Sequence, residues 1–274
     1  MISENTCVGG FTTFVDENIL RMNVKVSILA FLLLLSFKDV SSQQRVSDTI
    51  VSTLLFQASY AFQIPGKDLT TNFGYNSTIG AVIGYKTNKN WLWNVQANLI
   101  FGDQVEGREA LLRLISTSTG EVIDGDGTFT SLNLFERGFH FQGKTGKLFP
   151  VLGPNPNSGL YVMTGLGYLA HRIHIETQFG TAPQLKGDYA KGYDRMRGGV
   201  AHSIEAGYMI MSNERVLNFS LGFEFIHAYT KSLRDYSFDL MAPDNQKYKD
   251  HYYGIRLNWM IPAYKRAPQK YYYF

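Results

Sequence analysis

The chain has 274 residues, of which 45% are hydrophobic, 14% aromatic and 18% charged. So few charges with so many rings exclude a disordered chain and a coiled coil, and 26 glycines, 17 tyrosines and 19 phenylalanines against 8 prolines favour strands and tight turns. Lysine and arginine number 26 against 23 aspartates and glutamates, a formal charge of +3 that describes a mixed surface and no nucleic-acid-binding field.

From the amino terminus, residues 1–21 contain Glu4, Asp16 and Glu17, which a signal peptide does not normally carry. They are assigned to an upstream extension preceding a true start at Met22. Residues 22–42 then read as a secretory signal peptide: Lys25, an apolar run from Val26 to Phe37, and small residues Val40 and Ser42 before a cut after Ser42. The single cysteine, Cys7, permits neither a disulfide framework nor a cysteine-based zinc site, and no cysteine follows the apolar run to take a lipid anchor. No later segment approaches the roughly 20 apolar residues of a membrane helix.

Beyond residue 43 the apolar residues fall with period two. Trp91, Trp93, Val95, Ala97, Leu99 and Phe101 alternate with Leu92, Asn94, Gln96, Asn98 and Ile100; Leu217 to Tyr229 and Tyr253 to Ile261 repeat the pattern. Alternation over about eleven residues with aromatic side chains at both ends has the length and period of a membrane-spanning strand. Eight such runs are expected: Ser52 to Phe62, Ser77 to Lys86, Trp91 to Gly102, Arg137 to Phe149, Gly159 to Arg172, Gly199 to Met211, Val216 to Tyr229 and His251 to Ile261. The fourth is interrupted by Lys144 and Lys147, the fifth by Gly165 and Gly167. Connections alternate long and short, as periplasmic turns and external loops do in outer-membrane barrels. The pattern predicts an all-β, eight-stranded antiparallel transmembrane up-and-down β-barrel with long extracellular loops over residues 43–262. Its last strand ends near Pro262, and residues 263–274 form a periplasmic tail.

The signal peptide, the eight alternating runs, the alternating connections and the terminal Phe274 resemble the small OmpA-like, OmpX-like and PorT-like outer-membrane barrels over residues 43–274. That resemblance implies the outer membrane of a Gram-negative bacterium, embedded in its lipid. It implies no single function, because such families include structural proteins, adhesins, enzymes and subunits of larger machines.

If the large apolar residues face lipid, the alternate residues fill a lumen too narrow at eight strands for an open channel. Glu205, Glu224, Arg256 and Lys144 then fall inside at similar depth, and two acids with two bases predict an interior ion-pair network. His171 and His174 lie three apart, on opposite faces of a strand, so they cannot share a metal from regular geometry. Lipid A deacylases resemble this architecture and carry His-x-Ser on one face; here His202 and Ser203 are adjacent and therefore opposed. Asp124-Gly125-Asp126-Gly127 lacks the further carboxylates of a calcium loop and reads as a turn. No catalytic, cofactor or metal residue is assigned.

Three stretches suit contacts. Glu109 to Ile115 is helix-like and lies in the longest external loop, with Leu132, Leu134 and Phe135 adding apolar surface beside it. Pro150 to Ser158 holds three prolines and no charge, which makes a stiff turn. The tail combines Lys265, Arg266 and Lys270 with Tyr271, Tyr272, Tyr273 and Phe274, a composition suited to a protein groove or to the membrane interface, with Phe274 alternatively an assembly signal. The expected function is a non-enzymatic accessory or scaffold subunit with a periplasmic or outer-membrane protein partner. The alternatives are a lipid-modifying enzyme, a narrow pore and a surface adhesin.

Overall fold

The structure is a computed structural model and describes residues 49–177, 182–212 and 217–263. The expected signal peptide and the tail from residue 264 lie outside the described residues.

Eight long strands form the wall: β1 (Thr53–Lys67), β2 (Asn76–Lys86), β3 (Trp91–Gly102), β6 (Leu132–Phe149), β7 (Gly159–Thr177), β8 (Arg197–Ile210), β9 (Phe219–Ser232) and β10 (Lys247–Ala263). A short hairpin, β4 (Val122–Ile123) and β5 (Phe129–Thr130), stands apart from the ring. Each wall strand pairs antiparallel with its sequence neighbours, and β1 pairs with β10 to close the barrel. The expected eight-stranded up-and-down barrel is the observed fold.

Closure fixes a stagger. Directly paired residues run from Gly66 through His251, His227, His202, Leu166, Gly143, Val95 and Ile83, and return to β1 at Phe56, ten residues along the same strand. A stagger of this size tilts the strands, as closed barrels require. The wall is inside-out relative to a water-soluble protein. Trp91, Trp93, Leu99, Leu221, Phe223, Tyr253, Leu257 and Trp259 are exposed, while the alternate residues Gln96, Asn98, Ser220, Glu224, Arg256 and Asn258 are buried. Hydrocarbon is the solvent that suits such a face, and the aromatic side chains near its ends suit the bilayer interface.

Strands outrun the alternating sequence at one end. β1 continues to Lys67, β7 to Thr177, and β6 and β10 begin at Leu132 and Lys247. Only the lipid-facing span needs apolar alternation, whereas the ladder of backbone hydrogen bonds continues wherever the neighbouring strand does. The described part of β10 ends at Ala263, close to the expected end near Pro262, with Pro262 opposite Leu55 of β1. Its pairing with β9 reaches only Trp259 opposite Phe219, so at Pro262 one side of β10 has no strand neighbour among the described residues. The missing N–H is tolerated there.

The long connections carry two short helices, α1 (Arg108–Leu112) and α2 (Asp188–Tyr193). Leu111 and Leu112 of α1 are buried against the barrel end. Leu132 and Leu134, expected as loop surface, lie on the inward face of β6 and join the same buried cluster. They are core residues because the strand starts before them.

Candidate functional site: the barrel interior

Four layers fill the lumen. At the short-turn end, Leu55, Leu92, Leu148, Met163, Met209 and Met260 make an apolar plug. At the long-loop end a second apolar cluster gathers Leu69, Phe73, Leu132, Ile173, Leu185 and Tyr193. Polar layers lie between them. The side chains that fill the lumen are thus not all polar: inward residues at both barrel ends pack against folded connections and are apolar for that reason.

The central polar layer contains the four charges the alternation placed inside. Glu205 on β8 and Glu224 on β9 are directly opposite one another, an arrangement that repels unless a cation intervenes. Lys144 supplies it: Nζ lies 2.6 Å from Glu205 Oε2 and 2.7 Å from Glu224 Oε1. Arg256 closes the set from β10, with Nη2 donating to Glu224 Oε2 at 2.5 Å and Nη1 to Ser59 Oγ at 2.6 Å. All four side chains are buried, and their formal charges sum to zero.

Glycines explain both the reach of these side chains and the weak fifth run. Lys144 crosses β7 to meet β8 over Gly165, where a Cβ would stand 2.7 Å from Lys144 Cγ and 2.8 Å from Ser203 Oγ. Gly222 does the same for Tyr161: a Cβ there would lie 2.5 Å from the phenol oxygen, which donates to Glu205 Oε1 at 2.7 Å. Gly165, one of the two glycines that interrupt the fifth run, is a space for the network. Lys147, the other interruption, faces outward at the short-turn end, its ammonium 5.7 Å from the Trp91 ring centroid.

A second polar layer escaped the sequence reading. Glu136 accepts from Asn76 Nδ2 at 2.8 Å and from the Tyr252 hydroxyl at 3.0 Å, and Asp250 Oδ2 lies 3.1 Å from His171 Nε2. Glu136 and Asp250 fall just outside the alternating runs, so nothing local marked them as inward. His171 was set aside for its spacing from His174. His174 indeed points outward, 3.0 Å from Glu176, while His171 is buried.

Among the described residues, the histidines of these layers are not paired with a nucleophile. Thr230 donates to Asp250 at 2.5 Å and not to His171, so the imidazole activates no hydroxyl there. His202 lies outside the wall, 2.9 Å from Thr164 Oγ1, while Ser203 points inward and donates to Gln142. Among the described residues no three histidine, cysteine, aspartate or glutamate side chains have metal-binding placement. Asp124 accepts hydrogen bonds from the N–H groups of Asp126 and Thr128 and from the Thr128 hydroxyl, closing the β4–β5 hairpin. Those bonds, led by the Thr128 amide, hold its carboxyl below the usual carboxylate range.

The Pro150 to Ser158 connection belongs to the short-turn plug. Asn157 is fully buried, accepting from the Val51 amide and from Lys86 Nζ, each at 2.8 Å, and donating to the Thr49 carbonyl at 2.7 Å. Asn155 Nδ2 donates to the Met211 carbonyl at 2.7 Å. At the opposite end, Arg195 is paired with Asp239 and donates to Asn72 at 2.7 Å, and Arg234 is paired with Asp194. These contacts join three long connections into one cap. The expected docking residues Lys265, Arg266, Lys270, Tyr271, Tyr272, Tyr273 and Phe274 lie outside the described residues.

No family model and no curated protein matches this chain. Solved structures similar to it are small outer-membrane barrels. Neisserial surface protein A is 10% identical over 75% of this chain and 96% of its own, with a TM-score of 0.37. Ail, the attachment invasion locus protein of Yersinia pestis, is 8% identical over 77% and 100%, with a TM-score of 0.39. The outer membrane protein OprG from Pseudomonas aeruginosa is 12% identical over 80% and 100%, with a TM-score of 0.34.

Proposed function

We propose that this chain is a non-conducting, non-enzymatic barrel of a Gram-negative outer membrane, delivered through signal-peptide cleavage near Ser42, that serves as an accessory or scaffold subunit of a protein complex. The observation that carries this reading is the filled interior. Apolar clusters occupy both ends, and in the central layer between them two carboxylates and two cations are paired with one another, which supports a lumen closed to ions. A barrel so filled acts through its outer surfaces. In this reading the long connections face outward from the cell and the short turns face the periplasm, where the tail from Lys265 to Phe274 meets a partner. The tight cap and the Asn157-centred plug support it, because both hold surface segments in fixed positions.

Two measurements test it. Reconstitution into planar bilayers is expected to give no discrete current steps, and reproducible channel openings by the wild-type chain would favour the pore reading instead. Deleting residues 267–274 is expected to leave the heat-modifiable folded barrel intact while a protein recovered in stoichiometric amount with the full chain, in mild detergent after cross-linking, is lost. Recovery of the full-length barrel alone under those conditions would refute the subunit role.

A further inference from the structure

Arg137 on β6 and Arg172 on β7 are directly opposite one another and both face out from the wall. Like charges in that position repel, and among the described residues no carboxylate lies within ion-pair distance of either. Arg137 is held in place: Nη1 donates to the Glu136 carbonyl at 3.0 Å and the guanidinium lies 4.9 Å from the Phe135 ring centroid. The third basic group on this rim, His174, already bonds Glu176.

The wall beside and below the pair is apolar and recessed. One recess of about 460 Å³ is lined by Ile79, Leu99 and Phe101 together with Arg137, Arg172 and His174. A second, of about 400 Å³, shares Ile79 and Leu99 and continues along the wall between Phe139 and Phe141, where Ala81 and Ala97 face one another and leave the surface low. Two cations without a counter-charge, of which Arg137 is held by its contacts, therefore stand over an apolar trough on the lipid-facing side.

We infer that this trough binds a phosphorylated lipid of the leaflet on the long-loop side, its phosphate between Arg137 and Arg172 and an acyl chain along Ala81 and Ala97. Guanidinium groups match phosphate with paired donors, and a phosphate between them converts their repulsion into two charge-assisted interactions. A chain over Ala81 and Ala97 gains contacts with the flanking rings that a flat wall would not give. The inference rests on the bilayer placement proposed above and names the lipid chemistry that one face of the barrel selects.

The full mature barrel, purified in detergent, is mixed with bis-phosphorylated lipid A, with its dephosphorylated form, or with inorganic phosphate, and bound lipid is read by native mass spectrometry. The wild-type chain is expected to retain the phosphorylated lipid at least about tenfold better than the dephosphorylated one, and Arg137→Gln with Arg172→Gln to abolish that preference. Ala97→Phe, which fills the trough and leaves both arginines, is expected to lower retention of the phosphorylated lipid, while Lys147→Gln at the other end changes nothing. Equal retention of the two lipids by the wild-type chain overturns the inference. So does displacement of the lipid by millimolar inorganic phosphate, which would mark a site for free anions. Heat-modifiability of each variant reports the fold, so failure of the barrel reading registers as a lost gel shift and failure of this inference as a lost lipid preference. If the double arginine variant does not fold, the wild-type comparison and Ala97→Phe still decide.

Discussion

Glu224→Gln is expected to lower the unfolding free energy of the barrel by about 3 to 5 kcal/mol, the loss typical when one member of a buried charge set is removed. Glu224 is the carboxylate shared by Lys144 and Arg256, so the amide leaves two buried cations facing Glu205 alone. The double change Glu224→Gln with Arg256→Met removes one charge of each sign and leaves the pair of Lys144 with Glu205 intact. That variant is expected to lie within about 1 kcal/mol of wild type, because the desolvation cost of both charges disappears together with their attraction. Urea unfolding of protein refolded into lipid vesicles measures all three, with the outward-facing Trp91, Trp93 and Trp259 reporting loss of the bilayer environment. Equal losses from the single and double changes would show that Glu224 and Arg256 are not energetically coupled.

Asn157→Ala is expected to cost about 3 kcal/mol and to free the segment preceding β1. Lys86 is fully buried, and its ammonium has two acceptors: Asn157 Oδ1 at 2.8 Å and the Val51 carbonyl at 3.2 Å. No carboxylate pairs with it among the described residues. Truncating Asn157 leaves that charge with one partner and strips the Val51 N–H and the Thr49 carbonyl of theirs, and hydrogen bonds to charged groups are each worth about 1.5 to 3 kcal/mol. Lys86→Met in the Asn157→Ala background is expected to recover part of the loss, since the stranded charge goes with it. The same urea titration reads the stability, and limited proteolysis reads release of residues 49–52. Full stability in Asn157→Ala would show that the connection merely closes a hairpin and holds nothing.

The candidate site was legible to the extent that it follows strand parity. Lys144, Glu205, Glu224 and Arg256 stand on the polar side of alternating runs, and parity alone put them inside at similar depth. Tyr161 has the same parity but reads as one more aromatic residue in a run already broken by Gly165 and Gly167. Its role appears only when Gly222, two strands away, is seen to make room for its hydroxyl. Glu136 and Asp250 were missed because the strands continue past the lipid-facing span, where nothing compels alternation. Leu132 and Leu134 were misread for the same reason, as loop surface where they are core.

What the sequence determined by itself is the wall: strand number, antiparallel order and which face of each strand is apolar. These follow from period-two geometry and from the short and long connections, both local along the chain. Only the tertiary structure decided which inward side chains meet. Closure carries the chain ten residues along β1 in one circuit of paired residues, and this stagger, a property of the whole ring, sets Glu205 opposite Glu224 and brings Lys144 between them from β6. It also sets Arg137 beside Arg172 on the outside. No local pattern encodes such pairings, because each depends on the summed register of neighbouring strands and not on the sequence of either one.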